Sequence, residues 1–169
     1  MRSHRVFLLT LGLTSTLAAC GTKDGADLAA DSGAGADGIS ADDQARAEAL
    51  WTEISGFESW PQVEPWVGVV ESTSVHLDQV QIWVNQTSYD TITAGGGGDM
   101  ADGAIHIKAA YRDGQTTPAN YTVMEKQDGA WFHVRYTPDG GVELAGDAAL
   151  DACQGCHSGG QDEVLFVEW

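Results

Sequence analysis

Residues 121–137 read Tyr121-Thr122-Val123-Met124-Glu125-Lys126-Gln127-Asp128-Gly129-Ala130-Trp131-Phe132-His133-Val134-Arg135-Tyr136-Thr137. Two runs rich in β-branched and aromatic residues, Tyr121–Lys126 and Trp131–Thr137, flank Gln127-Asp128-Gly129. An Asp-Gly pair between such runs is the signature of a β-hairpin, because it supplies the positive φ angles that a tight turn between right-twisted strands demands. Upstream, Ile105 and Ile107 alternate with His106 and Lys108, and Val80, Ile82 and Val84 alternate with Gln79, Gln81 and Trp83, which gives two more strands. Downstream, Val164–Trp169 is expected to close the chain as a last strand. The fold class is therefore α+β: a mainly antiparallel β-sheet with flanking helices.

The helices are marked by their starts and stops. Ser40, with Asp43 three residues on, predicts an N-cap. Leu50, Ile54 and Phe57 follow at helical spacing, so a helix is expected from about Ala41 to Ser55, ended by Gly56. Trp60, Pro61, Pro65 and Trp66 predict irregular chain. Asn85 is a candidate cap for a short helix near Thr87–Ile92. The run Gly95–Gly98 lacks the Lys-Ser/Thr of a phosphate loop and reads as a turn. Ala148, Ala149, Leu150 and Ala152 make Asp147–Cys156 a helix-forming run. No internal repeat is present.

The N-terminus reads as a leader. Arg2, His4 and Arg5 precede the 12-residue apolar run Val6–Leu17, too short to span a bilayer and suited to a signal-peptide core. Leu17-Ala18-Ala19-Cys20 resembles a bacterial lipobox, so residues 1–19 are expected to be removed and Cys20 lipidated. The Gly-, Ala- and Asp-rich stretch that follows buries too little to fold, which makes residues 20–40 a lipidated flexible tether and 41–169 the folded domain. Removing Arg2 and Arg5 leaves six Lys+Arg against 25 Asp+Glu, a formal charge of −19. Such a chain is repelled by nucleic acid and by anionic membrane surfaces, so any membrane contact is expected through the lipid alone. The acidity suits either solubility or docking of a basic redox partner. The leader and lipobox together predict the periplasmic side of a bacterial membrane.

With Cys20 assigned to the lipid, Cys153 and Cys156 remain, and exported thiols seldom stay free. Cys153-Gln154-Gly155-Cys156-His157 is the attachment pattern of a c-type haem. Residues three apart share one helical face with Cβ atoms about 5–6 Å apart, so two thiols reach two vinyl groups from one side. His157, four residues after Cys153, then reaches the iron as proximal ligand. A plain disulfide needs no histidine, and a structural zinc needs four ligands, for which only His76, His106 and His133 remain.

In order along the chain, His76-Leu77-Asp78-Gln79-Val80-Gln81-Ile82-Trp83-Val84-Asn85, Asp102-Gly103-Ala104-Ile105-His106-Ile107-Lys108, the run Tyr121–Lys126 with Gly129–Phe132, and Cys153–His157 with Asp162-Glu163-Val164-Leu165-Phe166 resemble segments of the cytochrome P-460 family, which includes cytochrome c′-beta. The resemblance covers roughly residues 44–169. It implies a dimeric antiparallel sheet and one haem c whose iron is five-coordinate, with His157 on one side and an open distal side. It also implies a bond from Lys108 to the porphyrin edge in members that oxidise hydroxylamine. Partners would be small ligands (hydroxylamine, NO or CO) and a soluble electron-transfer protein. Enzymatic members carry a distal carboxylate; Glu125 is the nearest acid, and Thr122 or Met124 are the alternatives for the distal position. Without a distal acid, proton transfer from hydroxylamine lacks its base and simple NO or CO binding is favoured. Met100 or Met124 as a sixth ligand would instead give an electron carrier. His76, His106 and His133 suit structural strand positions or proton relay.

Overall fold

The computed structural model describes residues 38–95 and 98–166. The expected leader, Cys20, the tether up to residue 37, the middle of the glycine run and residues 167–169 lie outside the described residues. The order is α1 (Ala41–Glu53), a single 3-10 turn (Phe57–Ser59), β1 (Val70–Glu71), β2 (Gln79–Val84), α2 (Gln86–Thr93), β3 (Ile105–Tyr111), β4 (Asn120–Gln127), β5 (Ala130–Tyr136), β6 (Val142–Ala145) and α3 (Asp147–His157). The strands form one antiparallel sheet in the order β1-β2-β3-β4-β5-β6, so each pairs with its neighbour in sequence.

Local chemistry places the elements. Ser40 Oγ accepts from the Asp43 amide at 3.1 Å and donates to its carboxylate at 2.8 Å, capping α1. Asn85 Oδ1 accepts from the Ser88 amide at 3.1 Å and starts α2. In the central hairpin Gln127 pairs with Ala130, leaving Asp128 (φ 49°) and Gly129 (φ 79°) as a two-residue turn with both central φ angles positive.

Strand parity then sorts the side chains onto two faces. Ile107, Tyr111, Val123, Val134 and Tyr136 pack with Ala47 and Leu50 of α1 in the larger core. Each such side chain contributes roughly 1.5–3 kcal/mol of apolar burial. The Tyr136 hydroxyl donates to the Ala47 carbonyl at 2.7 Å and ties β5 to α1. The opposite parity leaves His106 and Lys108 on β3, Thr122 and Met124 on β4, and His133 on β5 facing a cleft on the other side.

The expected closing strand is not formed over the described residues. Asp162 (φ 48°) and Glu163 (φ 62°) both adopt left-handed backbone, which folds the chain back on itself. Val164 makes only an isolated bridge to Gln161. Strands β1 and β6, too short to show a pattern, extend the sheet beyond those expected.

Gly140 marks a close approach. Its φ is 89°, and a Cβ there would lie 2.1 Å from Nε1 of Trp51, whose ring packs 4.7 Å from Tyr136 and 5.6 Å from Tyr121. Gly140→Ala is expected to lower stability by roughly 1–3 kcal/mol, the cost of overpacking a filled site. The urea midpoint measures it.

Candidate functional site

A partly open, mostly apolar cleft lies against the face of the sheet turned away from the α1 core. Its wall brings together several residues singled out in the sequence. Cys153 and His157 enter from α3, Lys108 from β3, Thr122 and Met124 from β4, and His133 from β5. His76, His106, Glu163 and Phe166 complete it.

His157 is oriented by the turn that follows its helix. Its Nδ1 lies 2.8 Å from the backbone carbonyl of Glu163. A carbonyl can only accept, so Nδ1 carries the proton and Nε2 keeps its lone pair. That is how a ligating histidine is commonly held: one nitrogen donates to a fixed oxygen while the other is presented to a metal. The Glu163 carboxylate accepts from His133 Nε2 at 3.1 Å and from Gln154 Nε2 at 3.3 Å.

The turn itself is pinned by Asp162. Its carboxylate accepts from Lys126 Nζ at 2.5 Å and from the Met100 amide at 2.7 Å. Its carbonyl accepts from Trp131 Nε1 at 2.7 Å. The Lys126 and Asp162 side chains are 7% and 11% exposed, so this is a buried ion pair. Lys126 Nζ also sits 5.3 Å from the Trp131 ring centre.

Burial dominates the electrostatics. It lowers His76 and His106 to about 3, with positive charge at Lys108 and His157 acting in the same direction. It also lowers His133 and His157, against the pull of Glu163. The imidazoles are therefore neutral at pH 7, the form that binds metals. Burial raises the Cys153 thiol, opposed by Arg135 and Lys108. Lys108 is lowered to about 8 by burial, with Cys153 pulling upward.

Lys108 is accordingly expected to titrate well below the ordinary lysine value of about 10.4. Amine acylation followed by peptide mass should reach half its limiting rate at Lys108 near pH 8. The unfolded chain holds this proton longer than the folded one, so the stability cost of burying the charge is relieved as pH rises from about 8 towards 10.4.

Three expectations need correction or restriction. Glu125, the nearest candidate distal acid, shares strand parity with Val123, faces α1 and pairs with Arg46; it is not in the cleft wall. Met100 is 3% exposed in a smaller core cluster and also lies outside the wall, whereas Met124 lines it. Cys153 is a free thiol, so the cysteine pair is not bridged to itself. Among the described residues no group of three or more His, Cys, Asp and Glu is arranged to hold a metal ion on its own.

The gathering of His76, His106 and His133 around His157 was not assigned from the sequence. The ring centres of His76 and His133 lie 6.3 Å and 5.9 Å from that of His157. Strand parity would have signalled part of it, since His106, Lys108, Thr122, Met124 and His133 share one face. Glu163 carried no signal, because its role rests on a backbone carbonyl.

The donor set fits a porphyrin iron better than a bare ion. It offers one bare imidazole nitrogen, an apolar wall, a free thiol one helical turn before that imidazole, and a buried imidazole, His106, with no hydrogen bond. No family model matches the chain, and no curated protein matches it either.

Proposed function

We propose that this chain is a mono-haem c-type protein of the cytochrome P-460 kind, acting on hydroxylamine or NO. Cys153 and Cys156 are the thioether positions and His157 is the proximal ligand. The observation that carries this reading is the 2.8 Å contact of His157 Nδ1 with the Glu163 carbonyl, which leaves Nε2 bare in a cleft shared with Cys153 and Lys108. Bound haem would supply an open coordination position and one-electron redox chemistry.

The chain's own residues do the rest. His157 would supply a nitrogen ligand to the iron. The apolar wall excludes water and strengthens every polar contact made inside it. Lys108, half-buried and neutral over part of its range, would present a nucleophilic amine for a third covalent tie, at the porphyrin edge, one N–H and one C–H hydrogen being lost as protons and two electrons passing to the electron-transfer partner. Thr122 and Met124 bound the cleft from β4. Oxidation of hydroxylamine releases protons, and His133, hydrogen-bonded to Glu163 in the cleft wall, is an imidazole able to take them.

One observation favours a second reading, in which the site holds NO or CO without turnover as in cytochrome c′-beta. Glu125 is turned to the α1 face, and Glu163, the one carboxylate of the cleft wall among the described residues, is engaged by His133. The proposal also includes a lipid anchor at Cys20, a periplasmic setting, a soluble electron-transfer partner and a homodimer.

Expression with the c-type maturation machinery, followed by tryptic digestion and mass spectrometry, tests this. Peptides containing Lys108 and Cys153–Cys156 joined through one haem support the hydroxylamine-oxidising reading. A coloured protein whose Lys108 peptide is separate supports the binding reading. A matured protein that remains colourless overturns the proposal.

A further inference from the structure

His106 is the second residue of β3, paired with Val84 on β2 and Met124 on β4. It is 4% exposed. Its ring lies 5.0 Å from that of Trp131 and 5.1 Å from that of Phe166, and it forms part of the cleft wall. Among the described residues neither Nδ1 nor Nε2 has a hydrogen-bond partner. Its neighbours in the cleft differ: His133 and His157 each engage Glu163. A neutral imidazole always carries one N–H donor and one acceptor. Burying both unmet among aromatic and aliphatic groups costs stability that a phenylalanine or leucine would avoid. Packing alone does not account for a histidine here.

We infer that His106 donates a hydrogen bond to an acceptor group of the molecule held in this cleft. This rests on the haem reading above, where the acceptor is either the outer atom of an iron-bound diatomic ligand or a carboxylate of the haem itself. Both present the same chemistry to the ring. The aromatic pair Trp131 and Phe166 fixes the ring and keeps competing water from its edge. The donor is thereby set in advance, and little reorganisation is needed when the acceptor arrives.

The test uses the matured holoprotein, its His106→Leu variant and its His106→Gln variant, with CO as the probe. Three quantities are read: the C–O stretching frequency of the ferrous adduct, the CO release rate and the reduction potential. If the acceptor is the bound ligand, the stretch rises in H106L and CO leaves about threefold to tenfold faster, the range one hydrogen bond carries. H106Q, which keeps an N–H donor, returns both towards the parent values. If the acceptor is a haem carboxylate, the potential moves in H106L while the stretch does not, and H106Q restores it. Either pattern supports the inference. Three unchanged quantities in a coloured, folded H106L protein overturn it and leave the haem reading standing. A low-spin parent iron that turns high-spin in H106L also overturns it, because His106 would then be an axial ligand. A colourless parent overturns both.

Discussion

Cys153→Ala is expected to remove most of the covalently bound haem, and Cys153→Ala/Cys156→Ala all of it. The argument turns on what Cys153 does otherwise. It is a free thiol in the wall of the cleft, with no disulfide to break. If the cysteines serve only a disulfide, removing Cys153 changes nothing in the oxidised protein. If they serve thioethers, Cys153→Ala leaves at most one thioether. The double variant offers maturation no thiol, so no attached haem is present for Lys108 to join, and any haem bound is held by the iron–imidazole bond alone, which gives way in acid. Acid–acetone extraction followed by haem quantification separates the cases. Haem that stays with the precipitated parent protein and leaves the double variant fits the proposal. Equal extraction from both removes it. Cys156→Ala adds a control, since it removes the other thioether position.

Lys126→Met is expected to cost about 3–5 kcal/mol, because it strands the Asp162 carboxylate in a buried site. The remaining Met100 amide, at 2.7 Å, supplies one hydrogen bond but no charge. The guanidinium midpoint measures the loss. Asp162→Asn in the Lys126→Met background should therefore recover part of the loss at pH 7. A Lys126→Met protein as stable as the parent at neutral pH would show that the pair does not hold the turn. The variant should also loosen His157, since the Glu163 carbonyl that orients it belongs to the residue after Asp162.

Much of the sheet was legible, for a physical reason that also marks where legibility stops. Period-2 alternation and the Asp128-Gly129 turn are local signals, and each strand pairs with its sequence neighbour, so local signals suffice to order β2 to β5. The caps at Ser40 and Asn85 were legible because the side chain meets an amide three residues away. The turn after α3 was not. Asp162 and Glu163 adopt positive φ without glycine, held by Lys126, Met100 and Trp131 from distant parts of the chain. No window around Val164 carries that information, and its apolar neighbours imitate a strand. The site was half legible in the same way. The Cys153–His157 spacing is local, whereas the orientation of Glu125 depends on which face of β4 is covered by α1, known only once Arg46 is in place.

The nearest-neighbour order of the strands bears on how such a protein would be assembled. Pairings that close only short stretches of chain carry little loop entropy, and sheets of this connectivity form quickly for their class. Every strand among the described residues precedes residue 147, whereas Cys153, Cys156 and His157 follow. A chain that emerges N-terminus first can therefore form the sheet side of the cleft before the attachment segment arrives. The last helix would then be the piece that docks, carrying its cargo onto a scaffold already built.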